Sequence, residues 1–211
     1  MYKRQTTDST DIVMGDNGQI SWTNGNLDEI SSINTNTGGV DDIDLGNGDK
    51  TVVAGIGNDT VDALQGDHRV IADNGSLSYD AGKLDVMQSQ SAATGGNLGG
   101  DDTVTLGNGD NQIIAGVGND TITTADGSDH IIADNGQLDY DSDTGILRTA
   151  ISVEDTLGGN DTVSMGDAAT GEAKVVIAGI GADTVTAGDG NHDVIADPVS
   201  YTHLTLPTTR L

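Results

Sequence analysis

Ala54-Gly55-Ile56-Gly57-Asn58-Asp59-Thr60-Val61-Asp62 and, further along, Ala115-Gly116-Val117-Gly118-Asn119-Asp120-Thr121-Ile122-Thr123 are two copies of one nine-residue unit. Their apolar positions belong to ladders that run through the chain at intervals of nine. Ile43, Val52, Val61 and Val70 form one, and Val104, Ile113, Ile122 and Ile131 a second. Val163, Val176, Val185 and Val194 form a third, whose first step carries four extra residues near 169–172. A glycine lies four residues before most ladder positions, as at Gly48, Gly57, Gly66, Gly109, Gly118, Gly127, Gly181 and Gly190, and an aspartate often lies two before. Neither the helical period nor simple strand alternation produces such a pattern, whereas short strands stacked through tight turns do.

Side chains alternate faces along a strand, so Val52 and Ala54, or Ile122 and Thr124, point the same way. A large β-branched residue beside a small one suits a thin interior between two sheets. Two rows then make one coil of 18 residues, with odd rows stacking into one sheet and even rows into the other, joined by glycine-rich turns. The expected fold is all-β, a parallel β-roll or β-solenoid. A longer period lies over the nine. Asp16, Asp73 and Asp134 recur in Met14-Gly15-Asp16-Asn17-Gly18, Ile71-Ala72-Asp73-Asn74-Gly75 and Ile132-Ala133-Asp134-Asn135-Gly136, and a fourth copy begins at Ile195-Ala196-Asp197. Modules are therefore expected at 17–73, 74–134 and 135–197, with 6–16 closing an earlier one. Each opens with an insert that reads as a β-hairpin, with turn signals at Asn24-Gly25, Ala81-Gly82 and Thr144-Gly145.

The unit resembles the nonapeptide of RTX (repeats-in-toxin) proteins, the hemolysin-type calcium-binding repeat, with alanine where that family has its first glycine. The resemblance implies a calcium-binding β-roll that folds outside the cell, type I secretion, and an adhesin-like extracellular or bacterial cell-surface setting.

The two edges of such a roll read differently. The odd edge carries Asp41, Asp59, Asp102, Asp120, Asp161 and Asp183; the even edge carries Lys50, His68, Asn111, Asp129, Lys174 and His192. Calcium takes six to eight oxygens. Aspartates from stacked turns, with backbone carbonyls such as those of Gly57, Gly118 and Gly181, would supply them on the odd edge. On the even edge a lysine ammonium would take the cation's place, leaving only Asn111 with Asp129 as a further site. Turn preference alone would also supply Asp, Asn and Gly, but it does not sort aspartate to one edge and lysine or histidine to the other. His68, His130 and His192 lack the partners of a tetrahedral metal site and read as polar turn or surface residues.

Outward positions differ as well. They are polar on the odd sheet (Thr103, Thr105, Thr121, Thr123, Thr162, Ser164, Thr184, Thr186) and apolar on the even sheet (Val53, Ile71, Ile114, Ile132, Ile177, Ile195). An outward apolar stripe needs a cover. The hairpins, with Trp22, Tyr79 and Tyr140 at one repeat position, are expected to supply it; a glycan-stacking platform is the alternative role of these aromatics, and ice binding that of the threonine ranks.

The chain carries 34 acidic residues against 8 Lys and Arg, a net charge of −26. That excludes nucleic acid and anionic membrane as partners, and no apolar run approaches the roughly 18 residues of a membrane span. There is no cysteine. No nucleophile is paired with a base and no phosphate loop leads into a helix, so no enzyme activity is expected. The ends read as foreign. Tyr2-Lys3-Arg4-Gln5 translates TATAAGAGACAG, and Val199-Ser200-Tyr201 lies within its reverse complement, a transposon-end sequencing adaptor. Residues 1–5 and 198–211 are accordingly expected to lie outside the fold, leaving an interior fragment. The expected role is a calcium-binding structural extender of a large secreted or surface protein, partnered by calcium and by neighbouring repeats; the alternatives are a ligand-binding solenoid or the secretion region of an exported hydrolase.

Overall fold

The computed structural model describes residues 8–90, 99–153 and 156–196 in full and residues 2–5 as backbone. Every regular element among the described residues is a strand. Sheet one stacks β1 (Tyr2–Gln5), β5 (Asp41–Leu45), β7 (Thr60–Ala63), β11 (Thr103–Leu106), β13 (Thr121–Thr124), β17 (Thr162–Met165) and β19 (Thr184–Ala187) in that order. Sheet two stacks β2 (Asp11–Met14), β6 (Lys50–Val53), β8 (Arg69–Ile71), β12 (Gln112–Ile114), β14 (His130–Ile132), β18 (Ala173–Ile177) and β20 (Asn191–Ile195). All pairings in both are parallel, an architecture compatible with a β-solenoid or roll.

The nine-residue ladder divides between the sheets as its phase requires. Ile43 pairs with Val61, Val61 with Val104, Val104 with Ile122, and Ile122 with Val163. In sheet two Val52 pairs with Val70, Val70 with Ile113, Ile113 with Ile131, and Ile131 with Val176. The two ladders face each other across a buried core with the small partners Ala54, Ala72, Ala115 and Ala133. Each buried Val or Ile contributes about 1.5–3 kcal/mol relative to exposure. The core thins at one end, where Val185 is only partly buried and Val194 is exposed.

A third sheet is antiparallel and made of three hairpins: β3 (Gly18–Thr23) with β4 (Asn26–Ser32), β9 (Gly75–Asp80) with β10 (Lys83–Ser89), and β15 (Gly136–Tyr140) with β16 (Leu147–Ser152). Adjacent hairpins pair β4 with β9 and β10 with β15. This layer buries Ile30, Leu77, Met87 and Leu138 against Val53, Ile71, Ile114, Ile132 and Ile177 of sheet two, which gives the outward stripe its cover. Asn24 and Ala81 take positive φ at the first two hairpin turns, as does Gly145 at the third. Of the three repeat aromatics, Tyr140 is buried and Tyr79 packs on the same cluster, but Trp22 is 58% exposed. β3 is the outermost strand of its sheet. Trp22 therefore does not share the burial of the two tyrosines.

One further expectation is corrected. Tyr2–Gln5 is not outside the fold at the level of the backbone; it pairs in parallel with β5, with Arg4 opposite Ile43. An open parallel edge presents unpaired N–H and C=O groups to any extended segment, and Arg4 lies nine residues before Val13, in register. Residues 198–211 lie outside the described residues.

Candidate functional site

The odd-edge aspartates stand where each turn delivers the chain into a strand of sheet one, and they form a continuous ladder. The Asp41 backbone N–H donates to Asp59 Oδ1 (2.7 Å), Asp59 N–H to Asp102 Oδ1 (2.7 Å), Asp102 N–H to Asp120 Oδ1 (2.8 Å), Asp120 N–H to Asp161 Oδ1 (2.8 Å) and Asp161 N–H to Asp183 Oδ1 (3.0 Å). Each carboxylate thus satisfies a turn N–H that would otherwise be a buried, unpaired donor. The neighbouring asparagine of the unit builds a second, exposed ladder outside the first: Asn119 N–H donates to Asp101 Oδ1, Asn160 N–H to Asn119 Oδ1 and Ala182 N–H to Asn160 Oδ1. The Asn-Asp pair of the repeat therefore has two distinct jobs.

Only one oxygen of each inner carboxylate is used this way. Oδ2 of Asp59, Asp102, Asp120, Asp161 and Asp183 is buried without a hydrogen-bond partner. Burial pushes the Asp59 and Asp161 carboxyls up to about 7, Asp120 to about 8 and Asp102 to about 9; the backbone N–H bonds oppose the rise and neighbouring carboxylates add to it. An edge in which negative charge is this costly attracts either protons or a cation.

Three more carboxylates reach the same edge. Asp16 Oδ2 accepts from Ile56 N–H (2.8 Å), Asp73 Oδ2 from Val117 N–H (2.6 Å), and Asp134 from Ile180 N–H (2.5 Å) and Gly159 N–H (3.1 Å). Burial pushes Asp73 well up and Asp134 to about 6. Read as module landmarks in the sequence, they are part of the site. The signal was present: each lies three residues after an even-row ladder position, and the next even row holds Gly55, Gly116 or Gly179 there. A Cβ on any of these glycines would collide with the aspartate carboxylate, and all three have positive φ.

The even edge is closed by amines. Lys50 Nζ, fully buried, donates to the Ser9 carbonyl, the Asn47 carbonyl (2.8 Å) and Asp11 Oδ2 (2.9 Å). Lys174 Nζ, also fully buried, donates to the Ala125 carbonyl (2.8 Å) and Asp129 Oδ2 (2.6 Å). Asp129 is further held by Thr124 Oγ1 (2.6 Å), and Asn111 spends its amide on Asp129 Oδ1 (2.9 Å) and the Gly109 carbonyl (3.1 Å). The Asn111/Asp129 pair is therefore already committed to an ammonium partner. His68 is buried, and its Nε2 bonds the Leu64 carbonyl (3.1 Å). His130 lies under a hairpin with Nδ1 at 3.0 Å from Tyr140 Oη. His68 is thus a buried turn residue, and His192 makes the same bond in its own turn, to the Gly188 carbonyl through Nε2 (3.0 Å); His130, under the hairpin, is not a surface residue.

Orphaned carboxylate oxygens stacked one per row suit a divalent cation. Adjacent strands lie about 4.8 Å apart, roughly twice the 2.3–2.6 Å calcium–oxygen distance. Among the described residues no three His, Cys, Asp or Glu side chains converge on one point. Remaining donors would have to be carbonyls or water. The Gly57 and Gly118 carbonyls lie against the open faces of Gly100 and Gly159 in the row above, where a Cβ would collide with them. The chain matches no protein-family model, no curated protein and no solved structure.

Proposed function

We propose that this chain is a calcium-dependent structural repeat region, an RTX-like β-roll of 18-residue coils with a hairpin insertion every ~60 residues, acting as an extender of a large secreted or cell-surface bacterial protein. The observation that carries the reading is the file of unpartnered buried Oδ2 atoms on Asp59, Asp102, Asp120, Asp161 and Asp183, confined to one edge while Lys50 and Lys174 occupy the other. Those aspartates, with Asp41, would hold calcium, and the ion would neutralise an edge whose mutual repulsion opposes folding. Its role is mechanical rather than catalytic.

Circular dichroism in chelator and then in millimolar calcium tests this. The expected result is a gain of β-structure with calcium; saturation at 100 times the dissociation constant adds about 2.7 kcal/mol per site. Identical spectra and melting temperatures in both would remove calcium from the proposal. A second reading then stands, favoured by the Oδ1 ladder: a metal-free solenoid whose edge aspartates keep their protons at neutral pH.

A further inference from the structure

The hairpin layer covers sheet two with apolar contacts except along one rank. Thr51, Arg69, Gln112 and His130 are consecutive register partners on the outer face of that sheet. Above them the second and third hairpins part, leaving a cavity of about 410 Å³ lined by Arg69, Tyr79, Lys83, Gln112, Tyr140 and Asp143, within the roughly 300–1,000 Å³ range of small-molecule sites. Its tips are tied by Lys83 Nζ donating to the Asp143 carbonyl (3.1 Å).

Three polar atoms of its lining are unmet: Arg69 Nε, Gln112 Oε1 and Tyr79 Oη. Gln112 is 8% exposed; its Nε2 donates to the Asp110 carbonyl (2.7 Å), while Oε1 is buried with no donor. Arg69 Nε is buried with no acceptor, and Arg69 makes no ion pair among the described residues of a chain carrying −26. Leaving such groups unpaired is costly. Tyr140 is held in place by His130, ring centroids 5.8 Å apart.

We propose that this cleft binds a saccharide bearing a carboxylate, a uronic acid unit. The guanidinium takes the carboxylate, Gln112 Oε1 accepts a ring hydroxyl, and the half-buried Tyr79 ring packs on the sugar's C–H face. A neutral sugar offers Arg69 only an uncharged hydroxyl acceptor, which makes the weaker hydrogen bond, and inorganic phosphate has no C–H face to pack on a tyrosine ring. The site is built from the hairpin layer and does not depend on the calcium reading.

Titration of the full chain with galacturonic acid and digalacturonate, in calcium buffer and with folding checked by circular dichroism, tests it against galactose as the neutral comparator. Saturable binding of the acidic sugars is expected, at least about tenfold tighter than galactose. Arg69→Met should abolish that preference at unchanged melting temperature, and Gln112→Leu should weaken acidic and neutral sugars alike. Should Arg69→Met fold poorly, Lys83→Met at the exposed tip should still reduce the acidic preference. Absence of saturable binding, equal binding of acid and neutral sugar, or full retention in folded Arg69→Met would each overturn the assignment.

Discussion

At the scale of single residues, each edge aspartate from Asp59 to Asp183 spends one oxygen on the backbone and leaves the other unpartnered, and substitution can divide the two. Asp120→Asn keeps an oxygen to accept the Asp102 N–H but replaces the orphaned oxygen with an amide. It should leave metal-free stability equal or raised, since a buried carboxyl that resists ionisation is gone, while weakening calcium binding about tenfold or more. Asp120→Ala removes both oxygens and should also cost about 1–3 kcal/mol, because a buried N–H is left unpaired. Lys50→Met should be destabilising by a similar amount, removing the ammonium donor to two carbonyls and Asp11, yet leave calcium affinity unchanged. Isothermal titration and denaturant melts on the three variants separate these outcomes. Loss of calcium affinity in Lys50→Met equal to that in Asp120→Ala would show that the two edges are not independent.

At the scale of elements, the hairpin layer is integral to the stack. Leu77 pairs with Met87 in the hairpin and is buried against the outer face of sheet two. Leu77→Ala should cost about 2–5 kcal/mol, read as a shift of the urea midpoint with a single transition. A separate early transition would mean that the hairpins melt on their own. The ladder, its division into two parallel sheets and the apolar stripe beneath the hairpins were all legible in sequence, because each follows from a fixed period acting on alternating faces. The Oδ1 ladder was not, since composition cannot say which oxygen an aspartate spends on the backbone. Nor was Arg4 opposite Ile43, where pairing follows the open edge of a sheet rather than any apolar pattern. The exposure of Trp22 also escaped, because an edge position in the hairpin sheet depends on how many hairpins lie beyond it.

At the scale of the whole molecule, the shared edge couples stability to protons. Burial, and after it repulsion among themselves and from Asp16, Asp41, Asp101, Asp134 and Asp183, pushes Asp59, Asp102, Asp120 and Asp161 well above the ordinary 3.8 in the folded chain. Between pH 4 and about 7–9 the unfolded chain has released these protons while the folded chain retains them, so raising the pH favours unfolding. In chelator, the melting temperature should fall by several degrees from pH 5 to pH 9, and saturating calcium should flatten or reverse that slope because metal and proton compete for the same oxygens. A melting temperature independent of pH in chelator would contradict the buried, protonated edge. The spacing of that edge in the chain has a different consequence. Asp102 and Asp120 are 18 residues apart, Asp161 and Asp183 22, Asp120 and Asp161 41, and Asp59 and Asp102 43, yet every step closes the same hydrogen bond. Loop closure costs only about 0.6 kcal/mol per doubling of length. The stack is thus a chassis tolerant of the length of chain spliced between its rungs, so long as each insert still covers the apolar outer face of sheet two.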